Sequence, residues 1–379
     1  MILTIFSSDI SLFLISPLKG FKAHTRETLK YSVLDDVLKE AGSHTDIILR
    51  ANEKPAYKTG ETIERGSEEI PETLLKGWLV SLISEERWAD FLEAKSADLA
   101  YTLSDERRYR VNIYYSRGKI AAVFRFLEEK TAQTFEELGL PEPACLQLIS
   151  KKSGLILVTG AASQGKTTTL AAMVAAINEL RSTHIITIEE PIEYVFQDRF
   201  SVISQREVGR DTPSFAQGLK DALREAPEVI VVGELRSAEE AETCLFAAET
   251  GHLVLATMHA SSSIQALQKF LDWFPDRQQY MLKILTTSLQ GIIYQRLLRA
   301  RSGRHLAYEI LKATEPMRQL LSRGDFSMIS AEVSKNHEGN ITFNQSLVKL
   351  VSKGLISKAQ AALVSPNPQE FNRLLSAAS

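Results

Sequence analysis

The segment Gly160-Ala161-Ala162-Ser163-Gln164-Gly165-Lys166-Thr167 constrains this chain most, because it fits G-x-x-x-x-G-K-[ST] and because of what flanks it. The apolar run LILVT precedes it at 155–159, and TTLAAMVAAINEL follows at 168–180 with helical character. Strand, glycine turn and helix in that order make a phosphate cradle. The glycines let the backbone approach an anion, its N–H groups point inward, and the positive end of the helix completes the site. Lys166 is placed for the β- and γ-phosphates of a nucleotide, and the Thr167 hydroxyl for Mg²⁺. The expected nucleotide-binding residues of this loop are Gly160, Ser163, Gln164, Gly165, Lys166, Thr167 and Thr168.

Three more apolar runs of strand length follow: IITI at 185–188, VIVV at 229–232 and LVLAT at 253–257. Helical stretches separate them, such as Ala238 to Glu249. Near-continuous apolar strands alternating with helices mean a buried parallel sheet, so the fold class is α/β. A chain of 379 residues suits two domains. Residues 29–127 read as a smaller α/β domain: a helix over Leu34 to Glu40, a strand over Asp46 to Leu49, helical spacing from Glu72 to Ala94, and a hairpin joining 109–115 to 120–126 across Ser116-Arg117-Gly118. Residues 128–143 are polar and end in a proline-containing turn, the expected linker. Residues 144–379 form the second domain, mostly helical from about Asp276.

The first 28 residues stand apart. Ser7, Ser8 and Asp9 interrupt their apolar residues and no Lys or Arg precedes Lys19, so neither a signal peptide nor a spanning helix is expected there. An added strand or a misassigned start is the expectation. Lys plus Arg total 44 against 47 Asp plus Glu, a net charge of −3, which disfavours nucleic acid as the main partner. Two cysteines, Cys145 and Cys244, exclude a disulfide framework and a four-thiolate zinc site, and make the cytoplasm the simplest location.

The ends of the other strands carry acid–base groups, at the sheet edge where open α/β folds bind ligands. Glu234 follows VIVVG and can orient, or take a proton from, a water attacking the γ-phosphate; capping the following helix is its bland alternative. Glu189 and Glu190 follow IITI and suit a role at Mg²⁺ or water. His259 follows LVLATM and can sense the γ-phosphate, whereas His252 lies at the opposite end of that strand and is the weaker candidate.

These residues occur in a collinear set. GAASQGKTT at 160–168, TIEEPIEY at 187–194, SQREVGRDTPSF at 204–215, LREAPEVIVVGELRS at 223–237 and AAETGHLVLATMHAS at 247–261 resemble the motifs of the type II/IV secretion and pilus ATPase superfamily. Within it the likeness is to the PilT/PilU retraction ATPases, closer to PilU, over about nine-tenths of the chain. The resemblance implies a PAS-like N-terminal domain, a RecA-like P-loop ATPase domain with a helical C-terminal part, ATP as substrate, and a homo-hexamer. It implies Glu234 as the catalytic glutamate, Glu189 as the aspartate-box carboxylate at the metal and His259 as the histidine-box residue. Arg108, Arg110 and Arg125 of the N-terminal domain, with Arg206 and Arg210 at the ATP edge, become candidates for the phosphates. An inner-membrane pilus platform protein and a PilT-type retraction ATPase become expected partners, and the cytoplasmic face of the inner membrane the expected place.

The chain departs from the pattern in places. AASQ stands where the family usually has PTGS, Glu190 replaces an aspartate, and EPMRQLLSRG at 315–324 matches the AIRNLIRE-like element only at Arg318 and Leu321. The function expected is pilus retraction in an accessory role. The alternatives are a DotB-like secretion ATPase, a ring subunit that hydrolyses weakly, and, least favoured, a nucleic-acid motor.

Overall fold

The computed structural model describes residues 34–378 except 43, 61, 84, 104–106, 128–130, 301–302 and 336–338. The segment 1–28 lies outside the described residues. The chain builds two sheets. The first has order β3-β2-β1-β6-β5-β4, from β1 (Asp46–Arg50), β2 (Ala56–Thr59), β3 (Thr62–Arg65), β4 (Ser96–Thr102), β5 (Arg108–Ser116) and β6 (Lys119–Leu127), with every pair antiparallel. The expected β5–β6 hairpin closes on Arg117 and Gly118, both with positive φ (53° and 76°), the left-handed pair that a tight two-residue turn requires.

Helices α1 (Leu34–Glu40), α2 (Glu72–Ser81) and α3 (Glu85–Ala94) accompany this sheet, and Leu38, Leu75, Leu79 and Phe91 join its core. The single helical segment expected over 72–94 is two helices. Its sequence carries a start signal at 84–86, a serine followed by two glutamates, which the apolar spacing masks.

The second sheet has order β13-β12-β7-β11-β10-β8-β9. Its centre is the expected set: β7 (Gly154–Thr159), β8 (His184–Glu189), β10 (Val229–Val232) and β11 (Leu253–Met258), all parallel. Burial on both faces explains their unbroken apolar runs. Helices α4 (Glu142–Ile149) and α5 (Lys166–Leu180) are followed by α6 (Phe215–Ala222), α7 (Ala238–Glu249), α8 (Ser263–Asp272) and α9 (Gln278–Ser288). Residues from α4 and α5 pack with one face of the sheet, and residues from α6 to α9 pack with the other.

Two features depart from the sequence reading. The polar segment Val202–Glu207 is a parallel edge strand, β9. The region after Asp276 is not helical throughout: β12 (Leu289–Ala300) and β13 (Gly303–Lys312) form a long hairpin that extends the sheet. Its adjacent apolar pairs Ile292-Ile293 and Leu297-Leu298 replace the strict alternation by which a half-buried strand is read, which hid the strand. The helices α10 (Glu315–Ser322), α11 (Phe326–Ser334), α12 (Phe343–Ser352), α13 (Lys358–Val364) and α14 (Pro368–Ala378) follow as expected. Pairing of β12 with β7 ends at Tyr294 opposite Thr159, so β12 runs on for six residues past the strand that feeds the phosphate loop.

Candidate active site

The phosphate loop leaves β7 and folds against the free stretch of β12. Gly160 has φ +156°, and a Cβ there would stand 2.5 Å from the Gln295 carbonyl oxygen, so only glycine fits. Gln295 donates from Nε2 to the Gln164 carbonyl at 2.8 Å and accepts from the Thr169 hydroxyl at 2.8 Å. The Gln164 side chain in turn accepts from the Leu297 backbone N–H at 2.8 Å. That N–H faces where β7 would lie if it were longer, and the glutamine takes its place. No sequence motif announced Gln295. Ser163 holds φ +59° and Gly165 φ +83°, so the serine carries left-handed backbone that glycine adopts at less cost.

Lys166 is buried and opens α5. Its ammonium donates to the carbonyls of Gly160 and Ala161 at 3.1 and 2.9 Å. Burial lowers its pKa, and the nearby Glu234 charge opposes that shift. His259 Nδ1 lies 3.4 Å from Lys166 Nζ and 3.2 Å from the Gly160 carbonyl oxygen, and His259 Nε2 lies 2.5 Å from Glu234 Oε1. Three motifs far apart in sequence therefore meet in one chain of contacts. Glu234 does not cap the following helix: Ser237 caps α7, in a capping box with Glu240. His252 bonds the Ala247 carbonyl at the other end of β11.

The turn after β11 that carries His259 is held from three directions. Lys269 donates to the His259 carbonyl at 3.0 Å, Gln265 accepts from the Ser261 N–H, and Glu309 of β13 accepts from the Ser263 N–H at 3.2 Å.

Glu189 is buried at the end of β8. Thr187 and Gln205 donate to its Oε1 at 2.7 and 3.1 Å, and among the described residues Oε2 accepts no hydrogen bond. Burial raises its pKa, with both hydrogen bonds opposing. Glu189, Thr167, Tyr194 and Gly233 line one small cavity beside the loop. A threonine hydroxyl and a carboxylate with a spare oxygen are the oxygen donors a hard cation such as Mg²⁺ takes, so the residues present fit that ion. A larger cavity, about 500 Å³, lies around the far end of α5, between Thr131, Asn178, Phe196 and Arg199, away from Lys166.

The arginines are dispersed. Arg108 reaches the second sheet but not the loop: its guanidinium donates to Glu207 Oε2 at 2.7 Å and to the Ile192 carbonyl at 2.8 Å, and Ile192 N–H donates to the same carboxylate. Arg87, which sequence reasoning did not single out, donates to the Gly209 carbonyl at 2.8 Å and so adds a second clasp between the sheets. Arg110 and Arg125 are exposed beside Asp98 and Asp46. Arg206 pairs with Glu225 at 2.8 Å, and Arg210 is exposed next to Asp211.

Residues 97–362 match the profile of the family described as Type II/IV secretion system protein. The "Type IV pilus retractation ATPase PilT" of Pseudomonas aeruginosa is 37% identical over 77% of this chain and 86% of its own. The "Type IV pilus ATPase PilU" of the same organism is 34% identical over 84% of each chain, so the two sub-types divide the likeness between them. Among solved structures, a pilus retraction motor PilT with bound ADP is 40% identical and superposes with a TM-score of 0.80, covering 90% of this chain and 99% of that one. The Legionella pneumophila ATPase DotB is 26% identical with a TM-score of 0.79, covering 87% and 94%. A phosphate loop whose lysine, histidine and glutamate meet at the strand ends, carried on this two-sheet fold and matched over most of its length by these proteins, places the chain in the type II/IV secretion system ATPase family.

Proposed function

We propose that this chain is an ATPase motor of type IV pilus retraction, which hydrolyses ATP to ADP and phosphate and turns the cycle into work on the fibre. The observation that carries the chemistry is the run of contacts from Lys166 through His259 to Glu234 beside the phosphate loop. Lys166 leaves the carbonyls of Gly160 and Ala161 for the β- and γ-phosphates. Glu234 orients the attacking water and accepts its proton, while His259 holds one oxygen of that carboxylate and stands between it and the lysine. Thr167 and Glu189 would hold Mg²⁺, which when bound would offset charge on the phosphate oxygens. The loop amides from Gly160 to Thr168 cradle the phosphates.

The working unit in this reading is a homo-hexamer at the cytoplasmic face of the inner membrane, beside a pilus platform protein and a PilT-type partner. Among the described residues no helix is long and apolar enough to cross a membrane. The domains in this reading are 29–127 and 144–379, joined by 128–143. Arg110 and Arg210 are exposed, with only long contacts to Asp98 and Asp211, and would serve a site completed by domain closure or by a neighbouring copy; Arg108, Arg125 and Arg206 would have to give up Glu207, Asp46 and Glu225 first. The secretion reading has the DotB likeness in its favour, at lower identity.

Two experiments test the proposal. The purified protein should hydrolyse ATP with a specific activity that rises with protein concentration; a monomer fully active at nanomolar concentration removes the ring. A deletion strain should keep surface pili while retraction slows or weakens under load. Complete loss of pili, restored in trans, would show that the motor drives assembly instead.

A further inference from the structure

We propose that Arg236 is a positioning residue for hydrolysis: it fixes the Glu234 carboxylate by tying it to Glu190 at the end of the neighbouring strand. This rests on the reading of Glu234 given above and names a residue to which that reading assigns no part.

The sheet itself creates the need. In the β8–β10 pairing Val232 stands opposite Ile188, so Glu234 and Glu190 each lie two residues past a paired position, on adjacent parallel strands. Neighbouring strands are about 4.8 Å apart, and two carboxylates carried past their ends repel. Arg236 lies between them. Its Nε donates to Glu234 Oε2 at 2.6 Å and its Nη1 to Glu190 Oε2 at 2.6 Å. The guanidinium carbon sits 5.5 Å from the centroid of the Phe215 ring, which gives it a floor.

The consequence for Glu234 is orientation. His259 holds Oε1 and Arg236 holds Oε2, so both oxygens are engaged and the carboxylate plane cannot turn. Held by His259 alone, it would be free to rotate about that contact. A half-exposed ion pair contributes little to stability, so the fork acts mainly on geometry. Lysine is a single point charge and cannot hold two separated carboxylates in fixed directions as a planar guanidinium does.

The same fork reaches further along the chain. Glu190 precedes Pro191 and Ile192, and Ile192 is bonded through both its backbone groups to the Arg108–Glu207 pair that joins the two sheets. Arg236 thus links the hydrolytic carboxylate to the segment on which the N-terminal sheet rests.

The test uses the full-length protein, four single variants, Glu234→Gln, Arg236→Gln, Arg236→Lys and Glu190→Gln, and the Arg236→Gln/Glu190→Gln double variant. Steady-state ATP turnover, affinity for a fluorescent ADP analogue and melting temperature are measured on each. Arg236→Gln should lower kcat about 10–100-fold, the scale of a misplacement near 1 Å, with ADP affinity within about threefold and an unchanged melting temperature. Arg236→Lys should recover part of the loss. Glu190→Gln should cost less than Arg236→Gln, and the Arg236→Gln/Glu190→Gln double variant no more than Arg236→Gln alone. Wild-type turnover in Arg236→Gln, or a fall in affinity and melting temperature that accounts for the lost activity, overturns the proposal. Glu234→Gln separates the two readings: if it turns over normally, the assignment of Glu234 fails and this inference with it, whereas a slow Glu234→Gln beside a normal Arg236→Gln defeats this inference alone.

Discussion

Replacing Arg108 by alanine should loosen the hold of the N-terminal sheet on the ATPase sheet. The ion pair with Glu207 is enclosed: 14% of the Arg108 side chain and 3% of the Glu207 side chain remain exposed. Removing one partner of a buried pair costs about 3–5 kcal/mol, because the other charge is left without compensation. Glu207 keeps the Ile192 N–H and Arg87 keeps the Gly209 carbonyl, so the lower end applies, about 3 kcal/mol. At about 1.4 kcal/mol per factor of ten, the population with the sheets parted rises about 10²-fold. Hydrogen exchange followed by mass spectrometry reads this directly. Peptides covering 189–212 should exchange about 10²-fold faster in the variant, while a peptide within α7 should not change. Equal protection over 189–212 in both proteins would refute the view that this pair holds the sheets together.

Three further outcomes follow from the site. Lys166→Ala should abolish ATP turnover, since it removes the ammonium that meets the phosphates; unchanged turnover discards the phosphate-loop assignment. Gly160→Ala should weaken ADP binding, because its Cβ meets the Gln295 carbonyl at 2.5 Å, whereas Ser163→Gly, which relieves a φ of +59°, should bind ADP normally and change stability by no more than about 1 kcal/mol. Calorimetry that ranks the two variants the other way would contradict the loop geometry. Burial holds the Glu189 carboxyl above its ordinary value of 4.5, so the stability it contributes is complete below that pH and is lost as pH rises through the folded value. Glu189→Gln should remove that part of the fall, and an identical melting profile against pH in both proteins would tell against it.

The parallel core was legible because strands buried on both faces are written as unbroken apolar runs: LILVT, IITI, VIVV and LVLAT each became a strand. Glu234 and His259 were legible because strand ends in such sheets gather at one edge. What was missed depends on partners remote in sequence. The edge strand β9 is half polar, and its pattern means little until β8 lies beside it. The strands β2 and β3 are four residues each, the latter exposed throughout, and leave no periodicity to read. The strand β12 carries adjacent apolar pairs, Ile292-Ile293 and Leu297-Leu298, in place of the strict alternation by which a half-buried strand is read. Gln295, Arg236 and Arg87 escaped because each acts through a contact, and a single glutamine or arginine carries no signal until its neighbours are known.

The dependence of the phosphate loop on β12 also orders events during synthesis. The residues that brace the loop follow it by about 130 positions: Gln295 is 131 residues after Gln164, and Leu297 is 133 after it. At about 5–20 residues per second, roughly ten seconds separate the translation of the loop from that of its wall. Through that interval the first sheet is already complete in sequence, ending at β6, and the loop gains β8 to β11 and His259 around it but not the strand that braces Gln164. A ligand stabilises only a site that exists, so nucleotide in the cell can add nothing to the folding of this domain until the hairpin has been made. The ribosome delivers the cradle early and the brace late, and the growing chain must stay soluble between the two without help from the molecule it is built to bind.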